Sequence, residues 1–418
     1  MFTWPYSLLW HIIYALRVNA GKEIAARKPE RFGKATQVCP EGNLLYCHGA
    51  SVGEAVSLFP LLDHYLAEGH FRILVTTYTK TSAQMVAQRY GDRLIHQFIP
   101  YDHPAYVSKF LDYWKPERVI WTESELWPAM LSAIKKRHIP AALINARLSP
   151  RSLARWQRIK KYAQKMLSTF SIILTQTKAD ADNFKSLGLK NIHALGNIKY
   201  AAAPLPYDDA KLAALQVIIN TRPAWVYAST HKGEEEIAVE THKTLKATFP
   251  NLLTIVVPRH PERREAIADA FRSETLNILF RGQEKTLPNA DTDIYVADTL
   301  GDLGLFYKLA PIAMIGRTLS DDGGGGHNPL EAAQLDCAIL HGPHVQNLQA
   351  IFDELHAAHA CIAVENKDAL IATISDLLTH AEKRLKLQEK AKAFIDAKKK
   401  ILVDLIWALD HTFNLGRE

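Results

Sequence analysis

The sequence predicts two α/β domains, each a parallel sheet with helices on both faces. Three observations lead there. Short apolar runs alternate with helical periodicity along nearly the whole chain, the pattern of strands joined by crossover helices. The chain has 418 residues, too many for one core and enough for two domains of roughly 200 residues each. The alternation breaks once, at Ala201-Ala202-Ala203-Pro204-Leu205-Pro206-Tyr207-Asp208-Asp209, where the composition is that of a linker. The expected organisation is an apolar, membrane-associating segment at 1–16, a first domain at 17–203, a second at 204–395, and a final helix at 396–418 that packs back on the first domain.

The strands are expected where four to six apolar residues run together. In the first half these are Leu44–Cys47, Ile73–Thr77, Gln97–Pro100, Arg118–Thr122, Ala141–Ile144 and Ile172–Gln176. In the second they are Trp225–Ala228, Leu252–Val257, Ile294–Ala297, Pro311–Gly316, Cys337–Leu340 and Cys361–Val364. The runs are continuous rather than alternating, as strands buried on both faces require. In open α/β sheets ligands sit beyond the carboxyl ends of strands, so two such sheets are expected to face each other across a cleft that holds the site.

Apolar residues make up 48% and charged residues 22% of the chain, a folded and not a disordered composition. The net charge of +6 suits an anionic partner such as a nucleotide or a lipid surface. It does not argue for nucleic acid. Cys39, Cys47, Cys337 and Cys361 form no C-x-x-C pair and lie in or beside apolar runs, so they are expected as buried thiols, neither disulfides nor zinc ligands. Residues 1–16 hold Phe2, Trp4, Tyr6, Trp10 and Tyr14 with no acid, lysine or arginine; Arg17, Lys22, Arg27, Lys28 and Arg31 follow. The run is short for a spanning helix and lacks the leading charges of a signal peptide. A helix in the membrane interface, or one docked on its own domain, fits as well. The basic stretch Arg151–Lys161, with Trp156 inside it and Tyr162 beside it, suits either an anionic lipid surface or a solvated helix face.

The chemistry-bearing residues follow strand ends. Gly323-Gly324-Gly325-Gly326-His327-Asn328-Pro329-Leu330-Glu331 lies between two strands. Four glycines let a ligand approach the backbone. Asn328 suits an N-cap, Pro329 the first helical position and Glu331 a capping-box acid, and a helix opening there favours phosphate. A capped loop with nothing bound is the alternative. Glu54, in Ser51-Val52-Gly53-Glu54, opens a helix; by position it is a first-turn acid, with general base as the functional alternative. In Thr122-Glu123-Ser124-Glu125-Leu126-Trp127-Pro128 one acid is expected at the cleft and the other at a helix cap, or both are solvated. Arg259, in Pro258-Arg259-His260, has the planar fork of a phosphate clamp. Asp291-Thr292-Asp293 precedes its strand and is a turn, so no catalytic metal is expected.

Together these motifs resemble the 3-deoxy-D-manno-octulosonic acid (Kdo) transferases. The matching runs begin SVGE at Ser51, TESELWP at Thr122, INARLS at Ile144, GNIK at Gly196, STHKGEEE at Ser229, VPRHPER at Val257 and GGHNPLEAA at Gly325. The resemblance implies a GT-B fold of two Rossmann-like domains facing each other across a cleft. It implies an inverting transfer of Kdo from CMP-Kdo to a lipid A precursor, in lipopolysaccharide inner-core biosynthesis. The first domain would bind the acceptor and the second the CMP-sugar, on the cytoplasmic face of the inner membrane. Glu54 would be the base, with Glu123 and Lys199 assisting. Pro258, Arg259, Leu300, Gly301, Asp302, Asn328, Pro329, Leu330 and Glu331 would hold CMP, without a metal or other cofactor. The expected partners are CMP-Kdo, the lipid A precursor and the anionic inner-membrane surface, not nucleic acid. The alternatives are a UDP-sugar transferase or epimerase of the same fold, or a non-catalytic nucleotide-sensing membrane module.

Overall fold

The computed structural model describes residues 4–123, 125–272, 274–282 and 284–414, with side chains from Leu9 onward. Phe2 of the leader and Ser124 of the Thr122–Pro128 motif lie outside them, as do the side chains of Trp4 and Tyr6. The chain divides into two compact units: the residues up to Ala202 together with those from Lys398, and Ala203–Ala397.

The first unit is built on one sheet of seven parallel strands: β1 (Leu44–His48), β2 (Arg72–Thr77), β3 (Ile95–Phe98), β4 (Arg118–Thr122), β5 (Ala141–Ala146), β6 (Ile172–Thr175) and β7 (Ile192–Ala194). Their spatial order is β3-β2-β1-β4-β5-β6-β7. Side-chain alternation splits the core in two. Leu44 and Tyr46 pack with Phe110, Trp114 and Trp121 on one face. Leu45 and Cys47 pack with Leu58, Leu61 and Leu62 on the other. Leu405, Leu409 and Phe413 of the last helix, Lys400–Phe413, join that second cluster. Each such burial is worth about 1.5–3 kcal/mol, so the chain's end is anchored in the first unit's core.

The helix Trp4–Asn19 docks on the same unit by one stripe. Tyr14 is buried and the Trp10 ring stacks on Tyr101 at 4.8 Å. Leu9, Ile12 and Leu16 are left exposed. Among the described residues no helix is long and apolar enough to cross a membrane.

The second unit has its own seven parallel strands: β8 (Ala224–Thr230), β9 (Leu253–Pro258), β10 (Ile278–Phe280), β11 (Ile294–Val296), β12 (Ile312–Ile315), β13 (Ala338–His341) and β14 (Cys361–Ala363). The order is β10-β11-β9-β8-β12-β13-β14. In each sheet the chain's order reverses beside the first strand, at β1/β4 and at β8/β12. Loops leave opposite faces there and open a crevice at the carboxyl ends. The short edge strands β7 and β10 have no counterpart in the apolar runs, because Asn191 and His193 break the first and Asn277 and Arg281 bound the second to three apolar residues.

Candidate active site

In the first unit the switch point carries Glu54. Ser51 caps the helix Val52–Glu68: its hydroxyl accepts from the Glu54 amide at 3.3 Å. In return Glu54 Oε2 accepts from the amides of Ala50 at 2.6 Å and Ser51 at 3.4 Å. This reciprocal capping box fixes the carboxylate at the mouth of the sheet. Oε1 accepts no hydrogen bond among the described residues. Burial, then the nearby Glu123 charge, pushes the Glu54 carboxyl up to about 7 against the pull of the Ala50 amide. A carboxyl poised there has the proton affinity of a general base at neutral pH.

Glu123 follows β4, the strand beside β1. Lys199 Nζ lies 3.0 Å from its Oε1, and the Asn145 side-chain amide donates to the same oxygen at 3.2 Å. Asn145 Oδ1 accepts from the Ile198 amide at 3.1 Å, which ties the Lys199 turn to the end of β5. A Cβ on Gly53 would stand 3.8 Å from Lys199 Nζ, so the ammonium lies over the start of the Glu54 helix. The three predicted residues thus form one cluster. Asn145 is the member that sequence reasoning missed: it lay in the INARLS run with no role attached.

One expectation is corrected here. Glu125 does not cap a helix; its carboxylate accepts from Trp127 Nε1 at 3.3 Å. The helix Pro128–Lys136 is capped by Asp102, which accepts from Ala129 at 3.0 Å and Met130 at 2.9 Å. His48 is buried against Trp121, with Nδ1 2.8 Å from Thr76 Oγ1, and burial lowers it to about 3. Its role is structural.

In the second unit the loops after β11, β9, β8 and β12 leave four adjacent strands at the same end. Pro258 closes β9 and is buried; Arg259 beyond it is exposed, and its backbone amide donates to Thr230 O at 3.1 Å. No side-chain partner for its guanidinium occurs among the described residues. Leu300 is exposed and Gly301 takes φ +85°. Asp302 is already engaged, by Arg281 at 3.1 Å and Thr299 at 2.8 Å, so its carboxylate shapes the loop while the Leu300–Gly301 backbone stays open.

The glycine loop differs from expectation. A Cβ on Gly324 would meet Arg317 Nε at 1.8 Å, and one on Gly325 would meet the Asn347 amide at 2.4 Å. The protein's own side chains fill the space the missing Cβ atoms leave. Arg317 is paired with Asp322 at 3.0 Å, and His327 reaches His231 at 3.0 Å. Beyond the loop, Asn328 Oδ1 accepts from the Leu330 amide at 3.1 Å. Glu331 completes no capping box: it accepts from the Asn328 side chain at 3.4 Å. Pro329 precedes the helix Leu330–Gln334, whose five residues give only a small dipole. Glu331 is raised to about 6 by burial, against the Asn328 hydrogen bond and the Arg259 charge. Buried Glu234 was also missed. It accepts from the amides of His231 at 2.9 Å, Arg317 at 2.7 Å and Leu319 at 3.2 Å, and so staples the β8 and β12 loops together.

At these strand ends Glu123, Asn145, Ser229 and Arg317 all have φ between +51° and +62°. Such backbone is rare outside glycine and collects at functional sites.

A family model for 3-deoxy-D-manno-octulosonic-acid transferases matches residues 26–202. The chain is 35% identical to the 3-deoxy-D-manno-octulosonic acid transferase of Haemophilus influenzae over 86% of this chain and 85% of that one. It is 32% identical to that of Rickettsia bellii over 97% and 96%. Among solved structures, the UDP-GlcNAc 2-epimerase of Neisseria meningitidis aligns with a TM-score of 0.58 at 16% identity, over 88% of this chain and all of that one. A glycosyltransferase from Rickettsia africae aligns at 0.58 and 12%, over 89% and 99%. These structures share the GT-B fold, and two parallel Rossmann-like sheets are what this sequence builds. With relatives matched over nearly their full length, the chain belongs to the 3-deoxy-D-manno-octulosonic acid transferase family of glycosyltransferases.

Proposed function

We propose that this chain transfers Kdo from CMP-Kdo to a lipid A precursor by direct displacement, with inversion at the anomeric carbon. The observation that carries the reading is Glu54: a buried carboxyl raised to about 7, with one oxygen held by the Ala50 and Ser51 amides and the other without a hydrogen-bond partner among the described residues. That oxygen takes the proton of an acceptor sugar hydroxyl. The hydroxyl oxygen bonds to the anomeric carbon as CMP departs with the bonding electrons. Lys199, held by Glu123, supplies positive charge beside the reacting hydroxyl. Pro258, Arg259, the Leu300–Asp302 loop and Asn328–Glu331 take the CMP. The helix after Asn328 is short, so Arg259 stabilises most of the departing phosphate charge, while Glu331 accepts from ribose hydroxyls.

The exposed stripe Leu9, Ile12 and Leu16 on the first helix supports attachment to the surface of the inner membrane on its cytoplasmic face. The helix Pro150–Arg158, capped by Ser149 and followed by exposed Ile159 and Tyr162, supports it too. Purified protein incubated with CMP-Kdo and a tetraacylated lipid A precursor should give a Kdo-bearing lipid by mass spectrometry. Protection from thermal unfolding by CMP and not by UDP should accompany it. UDP protection without a Kdo product would overturn the proposal.

A further inference from the structure

We propose that His341, His356 and Cys361 form a binding site for one borderline-soft divalent ion of the zinc class, outside the active-site clusters. Register and topology bring the three together. Ile339 on β13 pairs with Cys361 on β14, and His341 with Ala363. Paired residues share a sheet face, as do residues two apart on one strand. His341 and Cys361 therefore project from the same face. The helix Gln349–Ala357, which connects the two strands, brings His356 over it. One ring nitrogen from each histidine and the Cys361 sulfur all lie within 4.8 Å of one another.

The hydrogen bonds orient the donors. His341 Nδ1 donates to the Gly342 carbonyl at 2.6 Å, which can only accept. In the neutral ring Nε2 is then left with its lone pair, and it faces His356 Nε2 at 2.8 Å. A carbonyl behind a ligating imidazole is the usual outer support of a metal site. At present a hydrogen on His356 Nε2 bridges the rings. On binding, that hydrogen moves to Nδ1 of the same ring, the Cys361 thiol releases its proton to solvent, and the ion takes two nitrogens and a thiolate.

Tetrahedral bonds of about 2.0–2.1 Å to nitrogen set the two nitrogens roughly 3.3 Å apart, so the rings must separate by about 0.5 Å. His356 is the more exposed of the pair and supplies the movement by a small rotation. Three protein ligands leave a fourth position for water. Imidazole and thiolate together favour zinc-class ions over magnesium or calcium. Nothing in the spacing announces this site: the histidines are 15 residues apart and the cysteine five further on, with no C-x-x-C or H-x-x-x-H pattern. The expectation that the cysteines ligate nothing changes for Cys361.

The test uses the full chain, treated with chelator and titrated with Co²⁺. One ion per chain should bind with a sulfur-to-cobalt charge-transfer absorption, displaced by Zn²⁺. Cys361→Ser should lose the band. His356→Ala, at a half-buried position the fold tolerates better, should weaken uptake by at least about tenfold, since changes to outer-shell groups alone cost 10–100-fold. An absent band in the parent chain overturns the proposal. So does a band that survives Cys361→Ser, or uptake without a band, which would place the ion at a sulfur-free site.

Discussion

Replacing Glu54 with Gln should separate catalysis from stability in opposite directions. The folded protein holds the Glu54 proton more tightly than the unfolded chain does, so wild-type stability falls as pH rises from about 4.5 through about 7 and is flat above. A rise from 4.5 to about 7 corresponds to about 3 kcal/mol at 1.36 kcal/mol per tenfold change in proton affinity. Glu54 is 7% exposed, so solvent screens little of this. Glutamine keeps an oxygen for the Ala50 amide but carries no charge. At pH 8 Glu54→Gln should therefore be more stable than the parent by about 1–3 kcal/mol, the lower value allowing for a buried amide. At pH 4 the two should unfold together. Turnover should fall roughly a hundred- to ten-thousandfold while CMP affinity stays unchanged. Denaturant melts at both pH values, turnover by mass spectrometry and CMP calorimetry read all three. Parental turnover in Glu54→Gln would place the base elsewhere, and an equal stability difference at both pH values would refute the raised carboxyl.

The neighbouring charges should tune the same group. Glu123→Gln removes a repelling anion and should move the acid limb of kcat/KM to lower pH; Lys199→Ala leaves that anion uncompensated and should move it higher, and pH–rate profiles of both variants decide. Arg259→Ala should weaken CMP by roughly ten- to hundredfold by calorimetry, the loss of a charge-assisted contact of about 1.5–3 kcal/mol, and Arg259→Lys should restore only part. Gly324→Ala should evict Arg317 from Asp322 and lower both the thermal midpoint and CMP affinity, because its Cβ would stand 1.8 Å from Arg317 Nε. Gly323→Ala meets open space and should cost only the strain of φ +73°, about 1–2 kcal/mol. Asp102→Ala should cost about 1–2 kcal/mol in a urea melt by uncapping Pro128–Lys136, with kcat intact.

What the sequence could show follows from what each feature depends on. Strands buried on both faces must be apolar throughout, so β1, β4 and β8 stand out as runs. Strands β7 and β10 span three residues each, Ile192–Ala194 and Ile278–Phe280, and polar residues break or bound them, so no run of four marks them, whereas the equally short edge strand β14 lies in the apolar run Cys361–Val364. Glu54 was legible as a first-turn acid because a helix start is local, but the reciprocal Ser51–Glu54 capping box went unread and the role of base came from the resemblance. The Lys199–Glu123 contact is not local. It exists because the turn after the edge strand β7 runs back over the strand ends, where the Ile198 amide meets Asn145 at the end of β5, beside β4. The glycine loop was half legible. Its need for small residues shows in four glycines, but what occupies the space is Arg317 and Asn347, which no spacing rule links to it. The left-handed backbone at Glu123, Asn145, Ser229 and Arg317 has no compositional mark either, because none is glycine.

In the proposed mechanism Glu54 meets two demands that conflict. A helix N-terminus wants a charged carboxylate, since the free amides and the dipole favour it, and both amide contacts lower its proton affinity. A general base at neutral pH wants that affinity raised. The geometry reconciles the two by dividing the carboxylate. Oε2 takes both amides, at 2.6 and 3.4 Å, which fixes the group's orientation. Burial and the Glu123 anion then act on the carboxylate as a whole and outweigh the amides. Had the carboxylate been exposed at the same position, the cap would have pulled it well below neutrality and left a poor base. Had it been buried without the cap, nothing would hold Oε1 toward an incoming hydroxyl. Burial is the larger of the two raising effects and Glu123 adds to it, while the Lys199 ammonium, 3.0 Å from Glu123, holds that second acid in place.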